Sequence, residues 1–240
     1  MLNFEPLASS SAGCAYRLSG GGATRPLLID CGVPFKQLQK LLDFRVAELE
    51  ACLISHAHGD HCKAVYELMR RSIDCCASRE TWGALSGEMP CSYYKIVVEP
   101  QQSCAIGDWM VTPFESVHDT KGALGFIIDS PEHDRLLYLT DSAYSKHKFT
   151  NLTHIAIEAN HSMEIMRDNV ESGKISQERF NRTAHTHMAI ERTVELLKAN
   201  DLSKVQQIWL LHLSSENSDS DEFKNLVERA TGVPTFVATR

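Results

Sequence analysis

The stretch LISHAHGDHCKAV, residues 53–65, reads as an apolar strand that runs into a turn carrying His56, His58, Asp60 and His61, after which an amphipathic helix begins. Three imidazoles and a carboxylate within six positions, on a turn whose backbone can fold around an ion, supply two nitrogen ligands for one metal and a mixed oxygen and nitrogen pair for a second. This donor set suits zinc, with manganese or iron as alternatives. With only 11 histidines in 240 residues, the spacing is too specific for a merely histidine-rich surface turn.

One hexapeptide cannot complete two coordination spheres, so further donors are expected at strand ends along the chain. His118 closes TPFESVH, Asp141 closes RLLYLTD and His212 closes IWLLH, each at the C-terminal edge of an apolar run, where α/β sheets place their ligands. Singly, each is an ordinary polar residue at a strand end. In this order after the first motif they read as ligands.

Segments that read as strands alternate with helical ones, with no low-complexity linker between them, which predicts one layered α/β domain over residues 1–240. Strands are expected at 25–32, 51–56, 73–78, 94–99, 109–116, 124–129, 135–141, 154–159, 207–213 and 234–239. Most are continuous apolar runs, as in strands covered on both faces. Helices are expected at 62–71 and 187–200, and from a cap at Asp219 or Ser220 to a stop at Gly232.

Hydrophobic residues make up 43% and charged residues 23%, which excludes disordered and fibrous classes. No apolar run approaches the roughly 18 residues of a membrane span, and residues 1–13 lack the pattern of a signal peptide, so a cytoplasmic protein without membrane contact is expected. The eight cysteines, Cys91 among them, are then expected as free thiols. A net charge of −7 disfavours a broad electropositive surface for nucleic acid. Two divalent cations would instead supply positive charge where one phosphate must sit.

The order His-x-His-x-Asp-His, a lone His, an Asp and a final His resembles the metallo-β-lactamase superfamily. That resemblance implies an αβ/βα four-layer sandwich, two central β-sheets flanked by helices. It implies that His56, His58 and His118 hold one metal ion, that Asp60, His61 and His212 hold the other, and that Asp141 bridges them. Asp30, in LLIDCG, would support the ligand loop by hydrogen bonds without binding metal itself.

The chain also resembles the YycJ/WalJ-type single-domain exonucleases, through Ser9 to Gly13, LLIDCG, IEANH at 157–161, AHTH at 184–187 and LLHLSSEN at 211–217. It departs from them at Cys14, where Asn usually follows Gly13, and at Thr186, His187 and Met188, where Leu-Ser-Asn usually follows the histidine matched by His185. The resemblance implies a DNA (5′–3′) exonuclease in which a metal-bridging hydroxide, anchored by Asp60 and Asp141, attacks phosphorus. His185 is then the donor of a proton to the departing sugar oxygen. Ser10 and Ser11 offer donors to a phosphate, Asn160 and His161 reach the cleft after an apolar strand, and Asn217 joins them as a substrate contact. The same fold serves small-molecule hydrolysis of thioesters, lactones or cyclic phosphodiesters, and a metal-binding protein without turnover is the reading from another class.

Overall fold

The structure, a computed structural model, describes residues 1–85 and 92–238. Cys91 and Thr239, the last residue of the expected final strand, lie outside the described residues. The chain divides into two compact units, residues 1–115 with 120–134, and residues 116–119 with 135–238.

In the first unit, β1 (Leu2–Ser10) and β2 (Gly13–Gly20) form an antiparallel hairpin, and β2 pairs antiparallel with β3 (Leu27–Ile29). The sheet continues in parallel through β4 (Ala51–Leu53), β5 (Asp74–Ala77) and β6 (Lys95–Val97). Parallel neighbours need crossovers. These run through α1 (Phe35–Leu41), then α2 (Gly59–Cys62) and α3 (Val65–Met69), then α4 (Arg79–Ala84). Leu38, Val65, Leu68 and Trp82 of these helices pack with Leu28, Cys52 and Cys75 of the strands in one buried core. An antiparallel meander of β7 (Cys104–Ile106), β8 (Trp109–Glu115) and β9 (Leu124–Asp129) completes the unit.

In the second unit, β10 (Arg135–Leu139), β11 (His154–Glu158), β12 (Gln207–Leu211) and β13 (Thr235–Val237) run parallel in chain order. The connections carry α5 (Met163–Glu171), α6 (Gln177–Thr186), α7 (Ile190–Lys198) and α8 (Ser220–Thr231). Every residue of β11 is buried, the apolar Ile155, Ala156 and Ile157 together with His154 and Glu158 at its two ends. The Asp219 side chain caps α8 by accepting from Glu222 N, and Gly232 ends it at φ 73°.

All ten expected strands are present, mostly shortened at their ends. The helix expected at 62–71 is instead broken into α2 and α3. Its cause is tertiary: Cys31 N donates to His61 O (2.8 Å) and Ala64 N donates to Cys31 O (2.9 Å), so the strand end after β3 takes hydrogen bonds that a continuous helix would use. The β1–β2 hairpin was not expected from the sequence; Pro6 stands beside its register shift, where a residue without N–H fits. The serine-rich loop is the turn of this hairpin. The described cysteines are free thiols, and no helix among the described residues is long and apolar enough to cross a membrane.

Gly32 shows how tightly the ligand turn is seated. A Cβ there would lie 1.6 Å from the carbonyl oxygen of Asp60 and 2.6 Å from His61 N. Gly32→Ala is expected to cost about 3 kcal/mol or more in urea unfolding, because the obstacle is backbone. Gly83→Ala in α4, where nothing lies within 4 Å, should be neutral or stabilising.

Candidate metal centre

The first unit builds its donors on one buried carboxylate. Asp30 follows β3 with φ 58°, a left-handed conformation that aspartate tolerates better than most residues. Its Oδ1 accepts from Ser55 N (2.8 Å) and Ser55 Oγ (2.9 Å), and its Oδ2 lies 2.8 Å from His61 Nδ1. His61 therefore gives Nδ1–H to Asp30 and keeps its lone pair on Nε2, which lies 3.8 Å from Asp60 Oδ2. With the Ser55 hydroxyl proton committed to Asp30, His56 Nδ1 donates to Ser55 Oγ (3.0 Å). His56 Nε2 then presents a lone pair 3.0 Å from His58 Nδ1, a two-nitrogen donor pair. Thr120 Oγ1 steadies the other nitrogen of His58 at 2.9 Å. The side chain of His58 makes no cap to α2; its ring is held between His56 and Thr120.

The second unit repeats the device with a different carboxylate. Glu158, fully buried at the end of β11, accepts through Oε2 from Ser142 N (2.9 Å) and Met188 N (3.1 Å). Its Oε1 lies 2.7 Å from His187 Nδ1 and 3.2 Å from His212 Nδ1. His212 Nδ1 also lies 2.8 Å from Asp141 Oδ1. Burial pushes the Glu158 carboxyl up, but His187 and the hydrogen bonds from His187 and His212 outweigh it and hold the group below its ordinary value. Burial likewise pushes His187 down, and Glu158 reverses this to raise it.

Asp141 and His212 sit just past β10 and β12 with φ 44° and 54°. Asn160 Nδ2 donates to His212 O (2.8 Å) and fixes that backbone. His118 donates Nδ1–H to Thr186 O (3.0 Å), which leaves Nε2 as a lone pair 3.9 Å from Asp141 Oδ2. Burial depresses the pKa of His118, favouring the neutral form that a metal requires. Asp141, Glu158, His187 and His212 offer ligand atoms within 4.8 Å of one another. Lone pairs oriented by buried carboxylates fit divalent ions, the chemistry expected of these residues.

Glu158 and His187 were not among the residues singled out from the sequence. The available signal was a lone glutamate ending an otherwise apolar run. His185 lies in the last turn of α6, exposed, with Nδ1 donating to Asn181 O of its own helix (2.7 Å). Ser10 Oγ accepts from Ala12 N (3.2 Å) in the hairpin turn beside exposed Ser11. Asn217 is buried and accepts from Asn169 Nδ2 (2.9 Å). His161 is fully buried, and burial lowers its pKa to about 4.

Two measurements probe these groups. Glu158→Gln should weaken divalent metal binding about 10–100-fold in a metal titration, since an amide has one accepting oxygen and cannot serve both the imidazoles at Oε1 and the Ser142 and Met188 N–H groups at Oε2. The low pKa of His161 means that the unfolded chain binds a proton below pH 6.5 that the folded chain refuses until about pH 4. Stability is thus complete above pH 6.5 and falls by about 3 kcal/mol on acidification to pH 4. His161→Gln should lack this component in urea titrations across that range.

Residues 25–213 match the family described as a beta-lactamase superfamily domain. The chain is 28% identical over 228 residues to the exodeoxyribonuclease WalJ of Streptococcus pneumoniae, spanning 90% of this chain and 82% of the relative. It is 24% identical over 229 residues to the exodeoxyribonuclease YycJ of Bacillus anthracis, spanning 90% and 84%. Among solved structures it is similar to the metallo-β-lactamase fold protein YhfI from Bacillus subtilis, with a TM-score of 0.74 and 16% identity over 99% of this chain and 96% of that one. It is also similar to the short form of human tRNase Z, with a TM-score of 0.61 and 16% identity over 90% and 93%. The fold match and the family match together establish that this chain belongs to the β-lactamase superfamily, as a metal-dependent hydrolase of the metallo-β-lactamase αβ/βα sandwich fold related to the WalJ and YycJ proteins.

Proposed function

We propose that the chain is a DNA exonuclease that removes nucleotides from the 5′ end. The observation that carries this reading is that relatives spanning 90% of the chain are named exodeoxyribonucleases, while each unit presents imidazole and carboxylate donors fixed by a buried acid. The ligand set we propose follows the order of the family motif: His56, His58 and His118 for one ion, Asp60, His61 and His212 for the other, and Asp141 shared. Zinc is the proposed metal, from the preponderance of imidazole nitrogens, with manganese or iron as alternatives.

Two bound divalent ions supply Lewis acidity, acidifying a water for attack at phosphorus and offsetting charge on the phosphate oxygens. Asp30 and Glu158 keep the histidine rings in one tautomer, so their nitrogen lone pairs need no reorganisation. Asp60 and Asp141 supply the anionic oxygens that position the attacking water. His187 is our choice to protonate the departing sugar oxygen. With Nδ1 committed to Glu158 at 2.7 Å, the ring is oriented and its other nitrogen is the one able to deliver a proton. His185, bonded only to its own helix among its described hydrogen bonds, is the second choice.

The test is incubation of metal-loaded protein with end-labelled single- and double-stranded DNA and RNA bearing 5′-phosphate or 5′-hydroxyl ends. The expected result is a stepwise ladder from the 5′ end of DNA, abolished by chelator and lowered at least about 1,000-fold by Asp141→Ala. Turnover of a thioester or lactone with DNA left intact would overturn the nuclease reading in favour of a small-molecule hydrolase. A fully metallated protein inert towards all of these would favour a binding protein.

A further inference from the structure

A cavity of about 1030 Å³ opens in the second unit, at the upper end of the range for clefts that take small organic ligands. Its lining includes His187, the group assigned above to the leaving oxygen, and extends past His161 to Tyr144, Met163, Met188 and Arg192. His161 is fully buried, and among the described residues neither of its ring nitrogens has a hydrogen-bond partner. An imidazole in that position has surrendered its hydration and regained nothing from the protein, which costs free energy until a ligand restores the bonds.

The character of that ligand follows from the ring. Burial holds His161 neutral at physiological pH, so it presents one N–H donor and one acceptor nitrogen. A phosphodiester offers acceptors only and would leave the acceptor nitrogen of the ring unmatched. A nucleobase edge offers donors and acceptors side by side, and its flat faces are apolar. Met163 and Met188 supply adaptable thioether surface, and the half-exposed ring of Tyr144 supplies a stacking face. Glu191, also in the lining, is engaged by Ser162 Oγ (3.3 Å) and Met163 N (3.2 Å), so its carboxylate is tied to the start of α5.

We propose that this cavity holds the base of the nucleotide at the end being cleaved, with His161 bonding the base edge and Tyr144, Met163 and Met188 covering its faces. The assignment rests on the nuclease reading and adds to it a pocket that grips the base as well as the backbone.

Calorimetric titration of metal-loaded protein with deoxyadenosine 5′-monophosphate, thymidine 5′-monophosphate and 2-deoxyribose 5-phosphate separates base from phosphate. Wild type should bind the nucleotides at least about tenfold more tightly than the sugar phosphate. His161→Leu and Tyr144→Ala should each cut that preference to about threefold or less. Tyr144 stands half-exposed, so its variant reports even where His161→Leu fails to fold. Equal affinity for nucleotide and sugar phosphate in wild type, or a preference unchanged in Tyr144→Ala and in folded His161→Leu, would overturn the pocket. DNA cleavage by a protein that binds nucleotide and sugar phosphate equally refutes the pocket alone, whereas base-dependent binding by a protein that cuts no DNA refutes the nuclease reading alone.

Discussion

Asp30 and Glu158 are carboxylates removed from water, and such groups persist only where hydrogen bonds replace the lost hydration. Asp30 is met by Ser55 N, Ser55 Oγ and His61 Nδ1. Glu158 is met by Ser142 N, Met188 N, His187 Nδ1 and His212 Nδ1. In both units the acid joins main chain to imidazole, so the path of the backbone sets the tautomer of the ring. An imidazole that could flip or exchange tautomers would present its lone pair only part of the time, and metal affinity would fall accordingly. The rest of the centre depends on this anchoring.

The backbone contributes through strand ends. Asp30, Asp141 and His212 each follow a strand and each turn through positive φ. For residues other than glycine that conformation is strained, and it survives where surrounding contacts over-determine it. Here those contacts are visible: Asp30 lies within its hydrogen-bond cage, Asp141 accepts from Thr140 Oγ1, and His212 O accepts from Asn160. The left-handed turn ends the strand and swings the side chain sideways, instead of letting it alternate above and below the sheet. Gly32 completes the arrangement by its lack of a side chain, because the backbone of Asp60 and His61 occupies the space a Cβ would need.

A net charge of −7 fits poorly with tight binding of nucleic acid by a basic surface. In the reading proposed here the attraction is concentrated in divalent ions at the cleavage point, and the His161, Tyr144, Met163 and Met188 side chains of the cavity supply contacts to the base that do not depend on charge. Such a division places binding free energy next to the scissile bond. It also lets the remaining surface stay acidic.

The sequence by itself carried the His and Asp pattern at 56–61, the recurrence of His118, Asp141 and His212 after apolar runs, and the ten strands, because short-range pattern fixes these: apolar runs make buried strands, and chelating residues must cluster or recur at strand ends. The supporting role of Asp30 came from the family resemblance. The sequence did not foretell the β1–β2 hairpin, the break between α2 and α3, or the pairing of Glu158 with His187. Those depend on which backbone groups meet across long stretches of chain: Cys31 with His61 and Ala64, Glu158 with Met188 and His212. A glutamate in an apolar run looks like an exception until tertiary folding brings two imidazoles and two main-chain N–H groups to its oxygens. His161 was singled out in the sequence for its place after an apolar strand, but its complete burial beside a cavity is decided only by the folded chain.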